Sequence, residues 1–171
     1  MLIRSDKNRG FALANNVAAE HATGDYILLL NSDTIVIGKA IDVLLGFAKQ
    51  YPNAGVWGGR TIFEDGTLNA TSCFRRITPW SLFCLACGLS GTFPKSPLFN
   101  WETYGDWNVD IARNVDVVTG CFLLIKRDFW NKLGGFDEKF FMYAEEADLC
   151  FRATAFGANP MITPEATIIH H

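Results

Sequence analysis

The stretch Gly24-Asp25-Tyr26-Ile27-Leu28-Leu29-Leu30-Asn31-Ser32-Asp33-Thr34 decides the fold. Its centre, Tyr26 to Leu30, is an unbroken apolar run of strand length. Such a run marks a strand buried on both faces, the kind found inside an α/β sheet. On its N-terminal side, Phe11 to Ala22 is Ala-rich and reads as a helix closed by Thr23-Gly24. On its C-terminal side, Lys39 to Gln50 reads as a second helix. Its expected buried face is Ile41, Leu44, Leu45 and Ala48, and Pro52 ends it. Helix, buried strand and helix in succession predict an α/β domain with a mixed, mostly parallel sheet.

The rest of the chain continues the pattern. Gly55 to Gly58 reads as a short strand. Arg60 to Phe63 and Thr67 to Ala70 flank Glu64-Asp65-Gly66 as a hairpin. Val115 to Ile125 reads as one long strand interrupted by Gly120. Asp128 to Leu133 and Ala144 to Phe156 read as helices, with Gly134-Gly135 and Gly157 as stops. Met161 to Thr163 and Thr167 to Ile169 read as short strands.

Composition narrows the function classes. With 171 residues, 49% of them apolar, the chain has the size of one domain and can bury a core. A net charge of −3 without a Lys/Arg stripe excludes a nucleic-acid binder. Cys73, Cys84, Cys87, Cys121 and Cys150 are odd in number and sit mostly in apolar stretches. They read as free thiols of a reducing, cytoplasmic compartment. Ile77 to Pro94 holds 18 residues without a charge, between Arg76 and Lys95. Pro79, Gly88 and Gly91 argue against a spanning helix, and a buried or membrane-surface segment is expected.

Three places carry chemistry. Asp33, with Asn31 beside it, follows a buried strand at its carboxyl end, where open α/β sheets bind ligands. It reads either as an oxygen ligand for a divalent cation or as a cap on the next turn. Asn8-Arg9-Gly10 opens a helix whose free N–H groups suit an anion or a sugar–phosphate. The run from Gly134 to Arg152 sets Asp137, Glu138, Glu145, Glu146 and Asp148 among Phe140, Phe141, Tyr143, Leu149 and Phe151. Carboxylates at the edge of a core need a partner: a metal ion, a substrate hydroxyl or an arginine. Asp137-Glu138 reads equally as an acceptor contact or a tight turn. For Asp148 an i,i+4 pair with Arg152 is the favoured reading. His170-His171 closes the chain after a strand, where imidazole is a candidate metal ligand.

Taken together, five blocks resemble the family 2 glycosyltransferases of the GT-A fold, in their rhamnosyltransferase-like branch. The blocks are Asn8-x-Gly10-Phe11-Ala12-x-x-x-Asn16, Gly24 to Thr34, Gly120 to Arg127, Gly135 to Arg152, and His170. The resemblance implies a Rossmann-like, three-layer sandwich that handles nucleotide-diphospho-sugars, with residues 1–171 forming one partial domain. It puts Asn31-Ser32-Asp33 on the family's Asp-x-Asp position, so that Asp33 binds Mg²⁺ or Mn²⁺ at the donor diphosphate. It makes His170 a further metal ligand. It sets Asn8, Gly10, Asn16, Asn31, Asp33 and Gly120 along the nucleotide-sugar, and Asp137, Glu138 and Asp148 on the acceptor side. Glu145-Glu146 falls on the family's Glu-Asp dyad, whose second acid is the general base. Here that acid is a Glu, one methylene longer, and either Glu146 or Glu145 is the base.

The implied reaction is inverting sugar transfer to a saccharide or polyprenyl-linked acceptor in cell-surface polysaccharide synthesis, at the inner face of the cell membrane. The family's usual first strand, helix and second strand have no counterpart before residue 1. The expectation is therefore an N-terminally truncated domain with an open sheet edge. An inactive fragment or scaffold is the alternative function. A nucleotidyltransferase is disfavoured by the Tyr-x-Glu-Glu-x-Asp-Leu block. A Rossmann dehydrogenase is disfavoured because no G-x-G-x-x-G follows a strand.

Overall fold

The computed structural model describes residues 2–104 and 107–170. Helix α1 (Gly10–Glu20) leads into β1 (Tyr26–Leu30), followed by β2 (Thr34–Val36), α2 (Ala40–Gln50) and β3 (Val56–Ile62). Next come β4 (Cys73–Phe74), α3 (Pro79–Ala86), α4 (Leu89–Thr92), β5 (Arg113–Asn114) and β6 (Val117–Val118). The chain closes with β7 (Phe122–Lys126), α5 (Arg127–Leu133), α6 (Glu145–Ala155) and β8 (Met161–His170).

The main sheet has the order β1-β7-β3-β8-β2, with β5 also paired to β8. It is mixed, as expected. The pairing of β3 with β8 is parallel, whereas β7 is antiparallel to both β1 and β3, and β2 and β5 are antiparallel to β8. Strands β1, β3 and β8 therefore run one way, and β2, β5 and β7 the other. The antiparallel share exceeds the expectation because β7 inserts between β1 and β3.

Alternation along the strands builds three layers. Ile27, Leu29, Val56, Leu123 and Ile125 face one side, where Ala12 of α1, Trp130 of α5 and Leu149 and Ala153 of α6 cover them. Trp57, Phe122, Leu124, Ala166 and Ile168 face the other side, against Ala40, Leu44, Phe47 and Ala48 of α2. Trp57 is fully enclosed, and its indole N–H donates to the Tyr51 carbonyl at 3.0 Å. Side chains of this size contribute about 1.5–3 kcal/mol each through burial, so both apolar layers hold the sheet.

Several boundaries differ from the sequence reading. The expected strand 115–125 breaks in two: β6 leaves the main sheet to pair with β4, and β7 starts after Gly120. The expected hairpin is present but short, one bridge from Ile62 to Leu68 flanked by bonds from the Phe63 N–H to the Thr67 carbonyl and from the Asn69 N–H to the Thr61 carbonyl. Two expected strands near the end merge into β8, whose pairing with β3 slips between Gly59 and Arg60. In α2 the buried stripe is Ala40, Leu44, Phe47 and Ala48, and Ile41 is exposed. The uncharged stretch forms α3 and α4. No helix among the described residues is long and apolar enough to cross a membrane. All five cysteines are free, and all but Cys87 are buried.

Candidate active site

At the carboxyl end of β1 the chain turns sharply. The Asn31 N–H donates to the Cys121 carbonyl at 3.2 Å, and the Thr34 hydroxyl donates to the Asn31 carbonyl at 2.7 Å. That turn aims β2 along the far end of β8, with Thr34 opposite His170. Residues far apart in sequence thus meet: His170 Nε2 lies 3.4 Å from Asp33 Oδ1 and 3.3 Å from Asn31 Nδ2. The Asp33 side chain is 55% exposed and that of His170 20%, so the pair opens to solvent on one side.

Neutral imidazole offers one hydrogen or one lone pair at Nε2. Here that atom faces a carboxylate oxygen and an amide at once. An imidazole lone pair beside a carboxylate oxygen suits a shared cation. Among the described residues no three His, Cys, Asp or Glu side chains converge. The set fits a cation held jointly with a phosphorylated ligand, the usual Mg²⁺ arrangement of one or two carboxylates plus phosphates. His171 lies outside the described residues.

The acidic run divides by role. After α5, Gly134 takes the left-handed conformation that ends the helix. Asp137 then closes a turn: its Oδ1 accepts the Lys139 N–H at 3.0 Å and its carbonyl accepts the Phe140 N–H at 3.1 Å. Of the two readings of Asp137, the tight turn matches this geometry. Glu138 is exposed. Asp148 Oδ2 takes two bonds from Arg152, at 2.8 Å from Nε and 2.6 Å from Nη2. The same guanidinium donates to the carbonyls of Leu133 at 2.7 Å and Gly135 at 2.9 Å. Arg152 and Asp148 therefore tie α6 to the end of α5, as favoured from the sequence. Phe141 and Tyr143 are exposed rather than packed at the core edge.

That leaves the first two residues of α6. Glu145 is 3% exposed, and its Oε2 has no hydrogen-bond partner among the described residues. Glu146 is half-buried. Burial pushes its carboxyl pKa up, a backbone hydrogen bond opposes this in part, and the Glu145 charge adds to it. Gly120 lies beside it: a Cβ there would stand 4.0 Å from the Glu146 Cβ and 3.1 Å from the Phe11 ring.

Cys121 links the two halves. Burial, the largest cause, and the charges of Glu146 and Asp33 together push its thiol up to about 11, against the lowering effect of hydrogen bonds with Thr61 and the backbone. The Asn31 N–H bonds to the Cys121 carbonyl and Gly120 lies beside Glu146, so the Asn31–Asp33 turn and the start of α6 both border the start of β7. Sequence reading took Cys121 only as one of five free thiols; the signal of its place at the site was its position directly after Gly120.

The helix-opening residues behave differently from expectation. The Gly10 N–H is taken by Asn8 Oδ1 at 2.9 Å, and the Phe11 N–H by the Phe141 carbonyl at 3.0 Å. Those two donors are not free for an anion. Asn8 and Gly10 do border a surface groove of about 460 Å³ that also takes in Arg4, Lys7 and Arg9. Asn16 faces elsewhere: its Nδ2 donates to the Phe136 carbonyl and its Oδ1 accepts the Phe136 N–H, both at 2.9 Å.

Comparison with known proteins places this geometry. Residues 1–134 match the sequence profile of Glycosyl transferase family 2. The chain belongs to that family. It is 29% identical over 162 residues to the O-antigen biosynthesis protein RfbC of Myxococcus xanthus, covering 92% of this chain and 12% of that protein. It is 30% identical over 156 residues to an N-acetylglucosaminyl-diphospho-decaprenol L-rhamnosyltransferase of Mycobacterium tuberculosis, covering 90% of this chain and 49% of that one. The chain thus spans at most about half the length of these two relatives. Its structure superposes on the mannosyltransferase PcManGT of Pyrobaculum calidifontis, solved with GDP-Man and Mn²⁺, with a TM-score of 0.62 at 16% identity, over 99% of this chain and 39% of that one. That likeness shows the GT-A fold expected from the sequence.

Proposed function

We propose that this protein transfers a sugar, with inversion, from a nucleotide-diphosphate donor to a hydroxyl of a saccharide or lipid-linked acceptor during polysaccharide assembly. The observation that carries this is the placing of an Asp33–His170 pair and the half-buried Glu146 about Gly120-Cys121, through the Asn31–Cys121 bond and the approach of Glu146 to Gly120. One end of that space suits a diphosphate and the other a proton acceptor. Membership of family 2 and a relative named as a rhamnosyltransferase support the reaction class.

Glu146 is the base in this reading. Its carboxylate is near enough to solvent to be reached and buried enough to hold a proton more firmly than an ordinary Glu. As the acceptor oxygen bonds to the anomeric carbon, the bond from that carbon to the diphosphate breaks, and Glu146 takes the acceptor proton. Such base catalysis contributes roughly 10²- to 10⁴-fold. Glu145, enclosed next to it, raises the proton affinity of Glu146 by its charge. Asp33 and His170 would hold Mg²⁺ or Mn²⁺, which offsets the charge developing on the departing diphosphate. The nucleotide side of the donor would run along the groove past Asn8, with Arg4, Lys7 and Arg9 supplying positive charge.

The acceptor side extends to α3, where Trp80, Leu82, Phe83 and Leu85 are exposed. Only Ser81 and Cys84 of that helix are buried. An apolar surface helix flanked by Arg75, Arg76 and Lys95 suits the cytoplasmic face of an anionic membrane, where a lipid-linked acceptor resides.

The test is transfer by the full-length protein from a panel of nucleotide-sugars, with and without chelator. Glu146→Gln should lower turnover by about 100-fold or more and leave donor affinity in place. Undiminished turnover in Glu146→Gln together with loss in Glu145→Gln would move the base to Glu145. Undiminished turnover in both would refute the reading.

A further inference from the structure

Gly10 is a place where two segments approach more closely than any side chain permits. Its φ is +77°, in the left-handed region. A Cβ built there would meet the Phe141 ring at 2.9 Å and the Phe141 carbonyl oxygen inside van der Waals contact. The same carbonyl accepts the Phe11 N–H at 3.0 Å. The first turn of α1 and the loop that enters α6 thus touch backbone to backbone.

That loop needs an external hold. Tyr143 and Ala144 stand at φ 71° and 70°, two consecutive non-glycine residues in the left-handed region. Such conformations persist only where the surroundings impose them. The side chains of Phe141, Met142 and Tyr143 are 56%, 52% and 77% exposed, so their own packing does not impose it. Ala144 caps α6 without any side-chain bond. Beyond the loop, Arg152 fixes α6 to the carbonyls of Leu133 and Gly135. Before it, past the Asn16 clamp on Phe136 and the Asp137 turn, the hold nearest the loop is the bond from Phe11 to Phe141. Phe11 also reaches the other side of the site: its ring lies 5.9 Å from that of Phe136 and against Gly120, which neighbours Glu146.

We infer that Gly10 is a positioning residue: by letting the N-terminus of α1 latch the Phe141 carbonyl, it sets where Glu145 and Glu146 stand. The inference rests on the reading of Glu146 as the base, and it moves Gly10 from a donor contact to a support of the acceptor-side acids. Tyr143 and Ala144 lie between latch and acids, so release at Phe141 lets both relax and carries the start of α6 with them.

The experiment has an arm that does not depend on turnover. In the wild-type full-length protein, hydrogen exchange should show the Phe11 amide opening together with the Asp148 amide, whose bond to the Ala144 carbonyl begins α6. Independent exchange of Phe11 would overturn the inference. In Gly10→Ala, the Phe11 and Asp148 amides should exchange at least about tenfold faster while the β3 and β7 amides keep their protection. If the variant folds with unchanged exchange at Phe11 and Asp148, the latch is refuted.

The kinetic arm separates positioning from general weakening. A shift of about 1 Å in the acids is enough to lower kcat by about 100-fold. Donor KM should stay within about twofold of wild type in Gly10→Ala. The acid limb of its pH–rate profile should move down toward an ordinary Glu, because the displaced Glu146 gains water. A rise in donor KM with kcat and the acid limb unmoved would return Gly10 to the donor site and refute the inference. Absence of wild-type turnover would count against the proposed function alone, since the exchange arm still decides the latch.

Discussion

Asn16→Ala is the substitution on which the sequence and the structure give opposite answers. The family pattern sets Asn16 beside the donor nucleotide. In the fold its amide forms a two-bond clamp on the backbone of Phe136, 120 residues away. Phe136 is almost fully buried, with its ring 5.0 Å from Trp130 and 5.9 Å from Phe11. Truncation at position 16 leaves the Phe136 N–H and carbonyl without their partner. Each orphaned buried group costs about 1–3 kcal/mol, and partial entry of water puts the sum near 3 kcal/mol. For a chain of this size that corresponds to a fall in Tm of roughly 6–12 °C. Urea titration should show a lower midpoint at unchanged slope. Calorimetric titration of the folded variant should return a donor affinity within about twofold of wild type. Stability held within about 0.5 kcal/mol, combined with collapse of donor binding, would refute the clamp and restore Asn16 to the donor site.

The remaining predictions concern the acids, their scaffold and α3. Glu146 has a folded-state pKa raised above its unfolded value. Its stabilising contribution is therefore present at pH values below the unfolded pKa and is lost as pH rises through the folded one. Glu146→Gln should raise Tm at pH 7, with the gain over wild type shrinking toward pH 4; a constant difference across that range would contradict the burial argument. Arg152→Leu removes the bonds to Asp148, Leu133 and Gly135 and leaves part-buried acceptors behind. A loss on the order of 3 kcal/mol is expected in urea titration, and a loss below about 1 kcal/mol would show that the network contributes little. Leu82→Asp with Phe83→Asp should abolish partitioning to anionic liposomes and leave Tm within a few degrees, since both side chains are exposed. Unchanged partitioning would remove α3 from the membrane contact.

Local chemistry was readable in the sequence where a segment's own pattern determines its state. Tyr26 to Leu30 is a strand as expected, and the helices around it start and stop within one or two residues of their signals. The strand lies at the edge of the main sheet, however, with Ile27 and Leu29 buried and Leu30 exposed, and is not buried on both faces. Pairing was less readable, because it depends on distant partners. Nothing in Val115 to Ile125 announces that Val117 and Val118 pair with Cys73 and Phe74 in a separate ribbon. Nor does the run Met161 to His170 announce that one strand can bridge two registers through the slip at Gly59 and Arg60.

The candidate site followed the same division. Asp33 and His170 each sit at a strand end, and the sheet brings strand ends together. The roles of Asp137, Asp148 and Asn16 turn on the bonds of one amide, one guanidinium and one loop, and a residue type does not specify which bonds it makes. Carboxylates beside aromatics have several possible partners, and here Arg152 claims one of them. Gly10 illustrates the limit best. A glycine at a helix start is compatible with a turn, an anion site or a close approach, and only the position of Phe141 separates these.

The central claim is that Asp33 and His170 form the cation-dependent donor end of a glycosyltransferase site. Calorimetric titration of nucleotide-sugars into the full-length protein, with and without Mn²⁺, tests it most directly when repeated on Asp33→Ala. The account predicts binding that requires Mn²⁺ in the wild type and is lost in the variant at unchanged Tm. Binding of equal strength in both proteins, or binding indifferent to Mn²⁺, would contradict it.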